Sequence, residues 1–175
     1  MSVVYRLTQG VRALLAFTQE VDYTLPQRYL SPPLLAAFQQ MKPNEQLHSI
    51  RVLKAVLAQQ PHTPDDLAVA ALMHDVGKIR CPLTVYGKTV AVAVRSLAPP
   101  LYNHASQQDL RRNRWARPFI VAEQHPRWSG EILQELGAPE RTVWLACHHA
   151  EVVAGWMDHP YAGLLWRLQQ ADDAN

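Results

Sequence analysis

The chain has 175 residues, of which 48% are hydrophobic and 18% are charged, and its formal net charge is +2. This balance is typical of an ordered globular unit and excludes a disordered chain, and the small net charge gives no indication of nucleic-acid binding. Cys81 and Cys147 form no close pair, and no N-terminal signal or apolar run of about 18 residues is visible. We therefore expect a cytoplasmic protein without a membrane span.

Helical patterns separated by prolines follow one another along the chain. Thr63 as an N-cap and Pro64 at a first helical position predict the start of a helix that stops at Gly77. Asn44 is the predicted N-cap of the preceding helix. Residues 103–114 are predicted to form a loop. Helices are predicted over residues 3–19, 32–41, 44–59, 64–75, 84–102, 118–124, 126–137, 140–149 and 160–173. No stretch alternates as a strand does, so the predicted fold class is all-α.

The pair His74-Asp75 follows an apolar run and precedes Gly77 and Lys78. A neutral imidazole and a carboxylate are ligand types that hold Zn, Mn, Fe or Mg. Neighbouring side chains on a helix point about 100° apart, so the two can hold one small ion only where the helix ends. Such doublets also arise by chance, so the rest of the chain must supply the other ligands.

Further imidazoles and carboxylates recur inside or at the ends of other predicted helices, namely His48, His125, His148, His149 and Asp172. Facing helices of a bundle build metal sites in this way, and the negative end of a helix dipole favours a cation. Taken singly, His48 is better explained as a surface or hydrogen-bonded core histidine, and Asp172 as a solvated helix end. A chain that carries all of these residues in this order over successive helices arises by chance much less often than a chain that carries any one of them.

In these residues the chain resembles the HD-domain superfamily of metal-dependent phosphohydrolases, over about residues 44–175. The matching segments are residues 46–52 (QLHSIRV), 70–78 (AALMHDVGK) and 171–174 (ADDA). His125-Pro126 and His148-His149 are similar to the HD-GYP branch, which cleaves cyclic dinucleotides. The resemblance implies a helical bundle with a metal site between its helices, and residues 1–43 would add N-terminal helices packed on that domain.

The resemblance also implies two divalent ions, which would be Mn, Fe, Mg, Ni or Zn. The first ion would be bound by His48, His74, Asp75 and Asp172. Asp75 would bridge to the second ion, which would be bound by His125, His148 and His149. In contrast to the HD-GYP branch, no Gly-Tyr-Pro loop follows His149, which argues against cyclic-dinucleotide cleavage. Asn44 stands where some members have a glutamate ligand, which argues against a third ion.

Phosphoester hydrolysis is the chemistry that such a ligand set implies, because two ions about 3.5–4 Å apart lower the pKa of a bridging water and clamp the phosphoryl oxygens. Asp75 would be the catalytic bridging ligand. Lys78 would meet a phosphate oxygen, although a surface lysine at a helix end explains it equally well. The expected substrate is a nucleotide or another small phosphorylated molecule. Two alternatives are a cyclic-dinucleotide phosphodiesterase with an atypical loop and a non-catalytic metal-binding signalling or interaction domain.

A basic stretch around Trp115 contains Arg111, Arg112, Arg114 and Arg117. Such a stretch could collect an anionic substrate or bind an anionic surface. A solvated loop is the more frequent explanation, and no nucleic-acid partner is required.

Overall fold

The computed structural model describes residues 20–175, and every regular element within them is helical. The nine α-helices of this part of the chain are α1 (Thr24–Tyr29), α2 (Pro32–Gln39), α3 (Pro43–Gln59), α4 (Asp65–Met73), α5 (Val85–Leu97), α6 (Pro99–Ser106), α7 (Arg117–Glu135), α8 (Glu140–His148) and α9 (Ala162–Asp173). Short 3-10 helices lie at Val76–Arg80, Arg114–Ala116 and Val153–Trp156. The predicted all-α fold class is confirmed for these residues, and none of their helices is long and apolar enough to cross a membrane.

Proline sets the start of several helices, because its fixed φ suits the first turn and its missing N–H is not needed there. Pro32, Pro43 and Pro99 open α2, α3 and α6 in this way. The predicted bounds of α2, α3, α8 and α9 agree with the structure to within two residues at each end. The predicted cap of α3 is wrong, since Lys42 and not Asn44 occupies that position. The predicted helix over residues 3–19 lies outside the described residues.

Other predicted boundaries were wrong. Thr63 does not cap α4, since Pro64 occupies the cap position and Thr63 Oγ1 instead accepts a hydrogen bond from Arg167 Nη2 at 2.9 Å. The predicted helix over 84–102 is divided at Ala98 into α5 and α6. Because α6 continues to Ser106, the first residues of the predicted loop over 103–114 are helical.

The helix α7 passes through Pro126 without ending. The sequence predicted two helices there, over 118–124 and 126–137, because a proline inside a helix removes one hydrogen bond and usually breaks or kinks it. In the structure α7 is buried along much of its length, against α8 on one part and against the 3-10 helix Val76–Arg80 on another. These tertiary contacts offset the cost of the proline.

The helix α4 forms the centre of the main core, and every residue from Leu67 to Met73 is buried. A helix without a polar face must be surrounded on all sides. Accordingly, α1, α3, α8 and α9 all pack against α4. Leu34 and Phe38 of α2 belong to the same core as Leu168 of α9. Within the described part, the helices before residue 44 thus share a core with those after it.

The helices α5 and α6 pack against α7 around a smaller apolar cluster, which consists of Ala91, Tyr102, Ala105 and Phe119. The helix α7 also packs very closely on α8. A Cβ atom on Gly130 of α7 would lie 2.0 Å from Cys147 Sγ of α8. The close approach of α7 to α8 therefore requires glycine at position 130. The helix α7 therefore packs against two units, the layer formed by α5 and α6 on one side and the main core on the other.

Candidate metal centre

His74 and Asp75 follow the last residue of α4, and both are buried, with 1% and 4% of their surface exposed. His74 Nδ1 lies 3.0 Å from the carbonyl oxygen of Ala71 in the last turn of α4, where carbonyl groups have no helical partner. An N–H donated from Nδ1 leaves a lone pair on Nε2, as a metal ligand requires. Within the described residues this buried Nε2 has no hydrogen-bond partner. Because buried polar atoms are normally paired, the unpaired Nε2 indicates a ligand.

The proline inside α7 explains the orientation of His125. Since Pro126 has no N–H, the carbonyl of Ala122 lacks its helical donor. His125 Nδ1 lies 3.1 Å from this carbonyl oxygen and 3.0 Å from that of Val121. His125 Nε2 is then 3.3 Å from Asp75 Oδ1. The sequence placed His125 at a helix entrance, whereas the structure has it inside α7.

His149 repeats this arrangement at the end of α8. Its Nδ1 lies 2.8 Å from the carbonyl oxygen of Ala146, and its Nε2 lies 3.8 Å from Asp75 Oδ1. The ring of His149 packs edge-on against the rings of His74 and His125, at centroid distances of 4.9 and 5.1 Å. Three buried histidines from three helices thus surround Asp75 with their Nε2 atoms.

The two carboxylate oxygens of Asp75 face different histidine groups. Oδ1 lies near His125 and His149, whereas Oδ2 lies 3.7 Å from His74 Nε2. The ligand atoms of His48, His74 and Asp75 all lie within 4.8 Å of one another, and the same is true of those of Asp75, His125 and His149. Asp75 belongs to both groups, as a carboxylate that bridges two ions would.

Asp172 in the last turn of α9 lies beside the first group. Its Oδ1 is 2.8 Å from His48 Nε2 and 3.7 Å from His74 Nε2. His48 comes from α3, so helices that are distant in sequence meet at this point. Both side chains are half-buried, which contrasts with the full burial of His74.

His148 lies in neither group. Its ring stacks on Trp144 at a centroid distance of 4.4 Å, and its Nδ1 lies 2.7 Å from the carbonyl oxygen of Trp144. Trp156 packs edge-on against it at 4.5 Å. Because adjacent side chains at a helix end point in different directions, His149 can face Asp75 only if His148 faces elsewhere. The structure brings six of the seven predicted ligands together and leaves His148 among aromatic rings.

Lys78 and Asp75 form a close ion pair, with Lys78 Nζ 2.5 Å from Asp75 Oδ2. Burial by itself raises the pKa of Asp75, but the charge of Lys78, His74 and the hydrogen bond to His125 outweigh it, so the pKa lies well below its ordinary value. Burial likewise lowers the pKa of Lys78, but the Asp75 carboxylate outweighs it and the pKa is raised. Both side chains are therefore ionised at neutral pH.

Burial lowers the pKa of His74. Burial, together with the neighbouring imidazoles of His74 and His125, lowers the pKa of His149 to about 3. Burial raises the pKa of Asp172, but His74 and the hydrogen bond to His48 outweigh it and the pKa is lowered. His74 and His149 are thus neutral imidazoles, and Asp75 and Asp172 are ionised carboxylates, which are the protonation states that bind divalent ions. This donor set fits a divalent transition metal.

Five of the six clustered ligands and Lys78 line a cleft with a volume of about 710 Å³, namely His48, Asp75, His125, His149 and Asp172. Gln169 Nε2 donates to the carbonyl oxygens of His149 at 3.0 Å and Glu151 at 2.5 Å, and so ties the segment after α8 to the wall formed by α9. Arg95 of α5 lines the cleft from another side, with its guanidinium 5.5 Å from the ring centroid of Tyr102. Sequence reasoning missed Arg95, because no local motif marks this position in α5.

The basic stretch is not part of the lining of this cleft. Arg111, Arg112, Arg114 and Arg117 are exposed between the end of α6 and the start of α7. None of the four is among the residues that line the cleft. Arg112 pairs weakly with Asp109, at 4.0 Å. Their binding to an anionic surface stays a prediction.

Comparison of the chain with known proteins gives no match to a family model, a curated protein or a solved structure. The chemistry of this centre must therefore be inferred from its own side chains.

Proposed function

We propose that the protein is a metal-dependent phosphohydrolase that hydrolyses a phosphoester of a nucleotide or another small phosphorylated molecule. The observation that carries this proposal is the position of Asp75, whose two carboxylate oxygens face two separate groups of histidine Nε2 atoms at one cleft. The resemblance of residues 44–175 to HD-domain phosphohydrolases supports the same chemistry. The substrate class follows from that chemistry and from the cations beside the carboxylate.

Two divalent ions would be held in this centre. One ion would be held by His48, His74, Asp75 and Asp172, and the other by Asp75, His125 and His149. When bound, such ions lower the pKa of a water molecule and neutralise charge on phosphoryl oxygens. His148 is left out of this set, since its ring stacks on Trp144.

The side chains of the protein prepare the site for this chemistry. The backbone carbonyls of Ala71, Ala122 and Ala146 each accept from an imidazole Nδ1, and so keep the Nε2 atoms directed at the cleft. Lys78 supplies a fixed positive charge next to Asp75, and Arg95 supplies another on the cleft wall. Both cations would attract the phosphate group and orient it toward the carboxylate.

The first experiment measures the metal content of the purified protein and its turnover with phosphomonoesters, nucleotides and cyclic dinucleotides in Mn²⁺, Mg²⁺, Ni²⁺ or Zn²⁺. We expect bound divalent metal and hydrolysis of phosphomonoesters or nucleotides. Hydrolysis of cyclic dinucleotides alone would favour the alternative phosphodiesterase. Metal binding without any turnover would favour a non-catalytic domain.

The variant Asp75→Asn tests the bridging carboxylate directly. It preserves the shape of the side chain but removes its charge, so both metal content and turnover should fall together. The matched control is Asp158→Asn, because Asp158 is an exposed aspartate outside the cleft. Unchanged metal content and activity in Asp75→Asn would contradict the proposal.

A further inference from the structure

A second cavity of about 310 Å³ adjoins the cleft of the metal centre. The two cavities share part of their lining, namely Lys78, Val92, Arg95, His125 and Ala150. A ligand group in the second cavity, here called the side pocket, would therefore lie next to a group held at the metal centre. The volume of the side pocket is at the lower end of the range for small-molecule sites.

The side pocket is lined mainly by carbon. Its apolar residues come from the segment before α5, from α5 itself and from the first half of α7, and they are Leu83, Ala91, Val92, Pro118, Val121 and Ala122. Ala91 and Val121 are almost fully buried. An apolar group that moved from water into this pocket would gain the free energy of burying its surface.

Charge is distributed unevenly around the side pocket. The cations Lys78 and Arg95 lie on the lining that it shares with the cleft, and the buried carboxylate of Glu45 lies on its own wall. An anion is therefore favoured at the junction, beside these two cations. Sequence reasoning missed Glu45 as a lining residue, although its position three residues before His48 puts both on one face of α3.

We propose that the side pocket binds the organic group of the substrate, and that the substrate is a phosphate ester with an uncharged aryl or branched alkyl group close to its phosphorus. The phosphate would lie at the junction near Lys78 and Arg95, and the organic group would enter the carbon-lined space. This inference rests on the proposed phosphohydrolase function.

The test uses two non-hydrolysable probes, phenylphosphonate and methylphosphonate, which share the charged head and differ in the organic group. Their dissociation constants are measured by calorimetry, with and without Mn²⁺. We expect the wild type to bind phenylphosphonate about tenfold or more tightly than methylphosphonate. The variant Val92→Trp should remove most of this preference, because Val92 is 52% exposed at the lining shared by the two cavities and a larger side chain there can narrow the side pocket without disturbing the core.

The matched control is Ala93→Trp, since Ala93 is the next residue of α5, is exposed and lines neither cavity. It should keep the preference of the wild type. Ala91→Leu fills the pocket from its buried side and should act as Val92→Trp does. Equal affinities for the two probes in the wild type, or the same preference in Val92→Trp and Ala93→Trp, would overturn the inference.

The two proposals fail in different ways. If the protein hydrolyses phosphoesters but shows no preference for the phenyl group, only the side-pocket inference is wrong. If no ester is hydrolysed while the preference is present and is lost in Val92→Trp, the proposed function is wrong and the pocket still binds an organic group.

Discussion

A Cβ atom on Gly77 would lie 2.2 Å from the carbonyl oxygen of His125. The N–H of the same glycine donates to Ser129 Oγ at 2.8 Å, so the backbone that follows Asp75 rests directly on the backbone of α7. This contact sets the distance between Asp75 and His125. Glycine is required there because any side chain would have to displace the helix backbone.

We therefore expect Gly77→Ala to destabilise the protein by ~1–3 kcal/mol, since an overpacked site against a rigid backbone relieves its strain only by moving α7. The metal affinity should fall as well, because His125 would move away from Asp75. Urea unfolding and titration with Mn²⁺ measure the two effects. Gly163→Ala is the control, since nothing lies within 4 Å of a Cβ at that position. Equal behaviour of the two variants would contradict the role given to Gly77.

The missing N–H of Pro126 gives a second prediction. In Pro126→Ala a new N–H would compete with His125 Nδ1 for the carbonyl of Ala122. The metal-free protein should become more stable, by up to ~3 kcal/mol, because a helix-interior proline is removed. Its metal affinity should fall about tenfold, which is the lower end of the usual loss when a supporting hydrogen bond of a ligand is weakened.

The control for this variant is Pro118→Ala, since Pro118 lies in the first turn of α7, where no donor is needed. Its metal affinity should not change. If Pro126→Ala also binds Mn²⁺ as the wild type does, the carbonyl of Ala122 has no part in orienting His125.

Replacement of Lys78 should move metal affinity and activity in opposite directions. In Lys78→Met the cation 2.5 Å from Asp75 Oδ2 is lost, so this oxygen is freed and the local positive charge that opposes a metal ion is removed. Metal affinity should rise, whereas kcat/KM should fall about 100-fold because a charge on the phosphate is no longer stabilised. Lys78→Arg keeps the charge and is the control. A fall in metal affinity with Lys78→Met would show that the lysine supports the ligand instead.

The metal-free protein should lose stability as the pH falls. The pKa of His149 is lowered to about 3 by burial and neighbouring imidazoles, and the pKa of His74 is lowered by burial. The unfolded chain therefore binds protons that the folded chain does not bind. The free energy of unfolding is highest above about pH 6.5 and declines as the pH falls from about 6.5 to 3. The slope per histidine should approach ~1.4 kcal/mol per pH unit at most.

Urea unfolding in the presence of a chelator at a series of pH values measures this slope. His149→Gln should make it shallower, since one buried imidazole is absent. His62→Gln is the control, because His62 is exposed. If the wild type and His149→Gln depend on pH in the same way, His149 does not titrate as its burial implies.

Local features of the sequence are sufficient for most of the helices. The apolar run over 67–73 and the prolines at positions 32 and 64 act over one or two helical turns, and the corresponding helices were predicted with nearly correct bounds. The residue types of the centre are also a property of the sequence, because histidine and carboxylate side chains recur inside or at the ends of successive helices. Their function as metal ligands stays a prediction.

What only the tertiary structure decided is which of these side chains meet. His148 and His149 are equivalent by composition, but the rotation of α8 against α4 and α7 directs His149 to Asp75. His148 remains stacked on Trp144, which lies one turn earlier on α8 itself. The continuation of α7 through Pro126 depends on packing against other helices, which no local pattern records. The same is true of Arg95 and Glu45, which border one pocket although α3 and α5 are far apart in sequence. The sequence by itself determined most of the helices and the kinds of side chain, because both depend mainly on neighbours along the chain. The arrangement of the site depends on how closely the helices approach one another and how they are rotated, which only the tertiary structure decides.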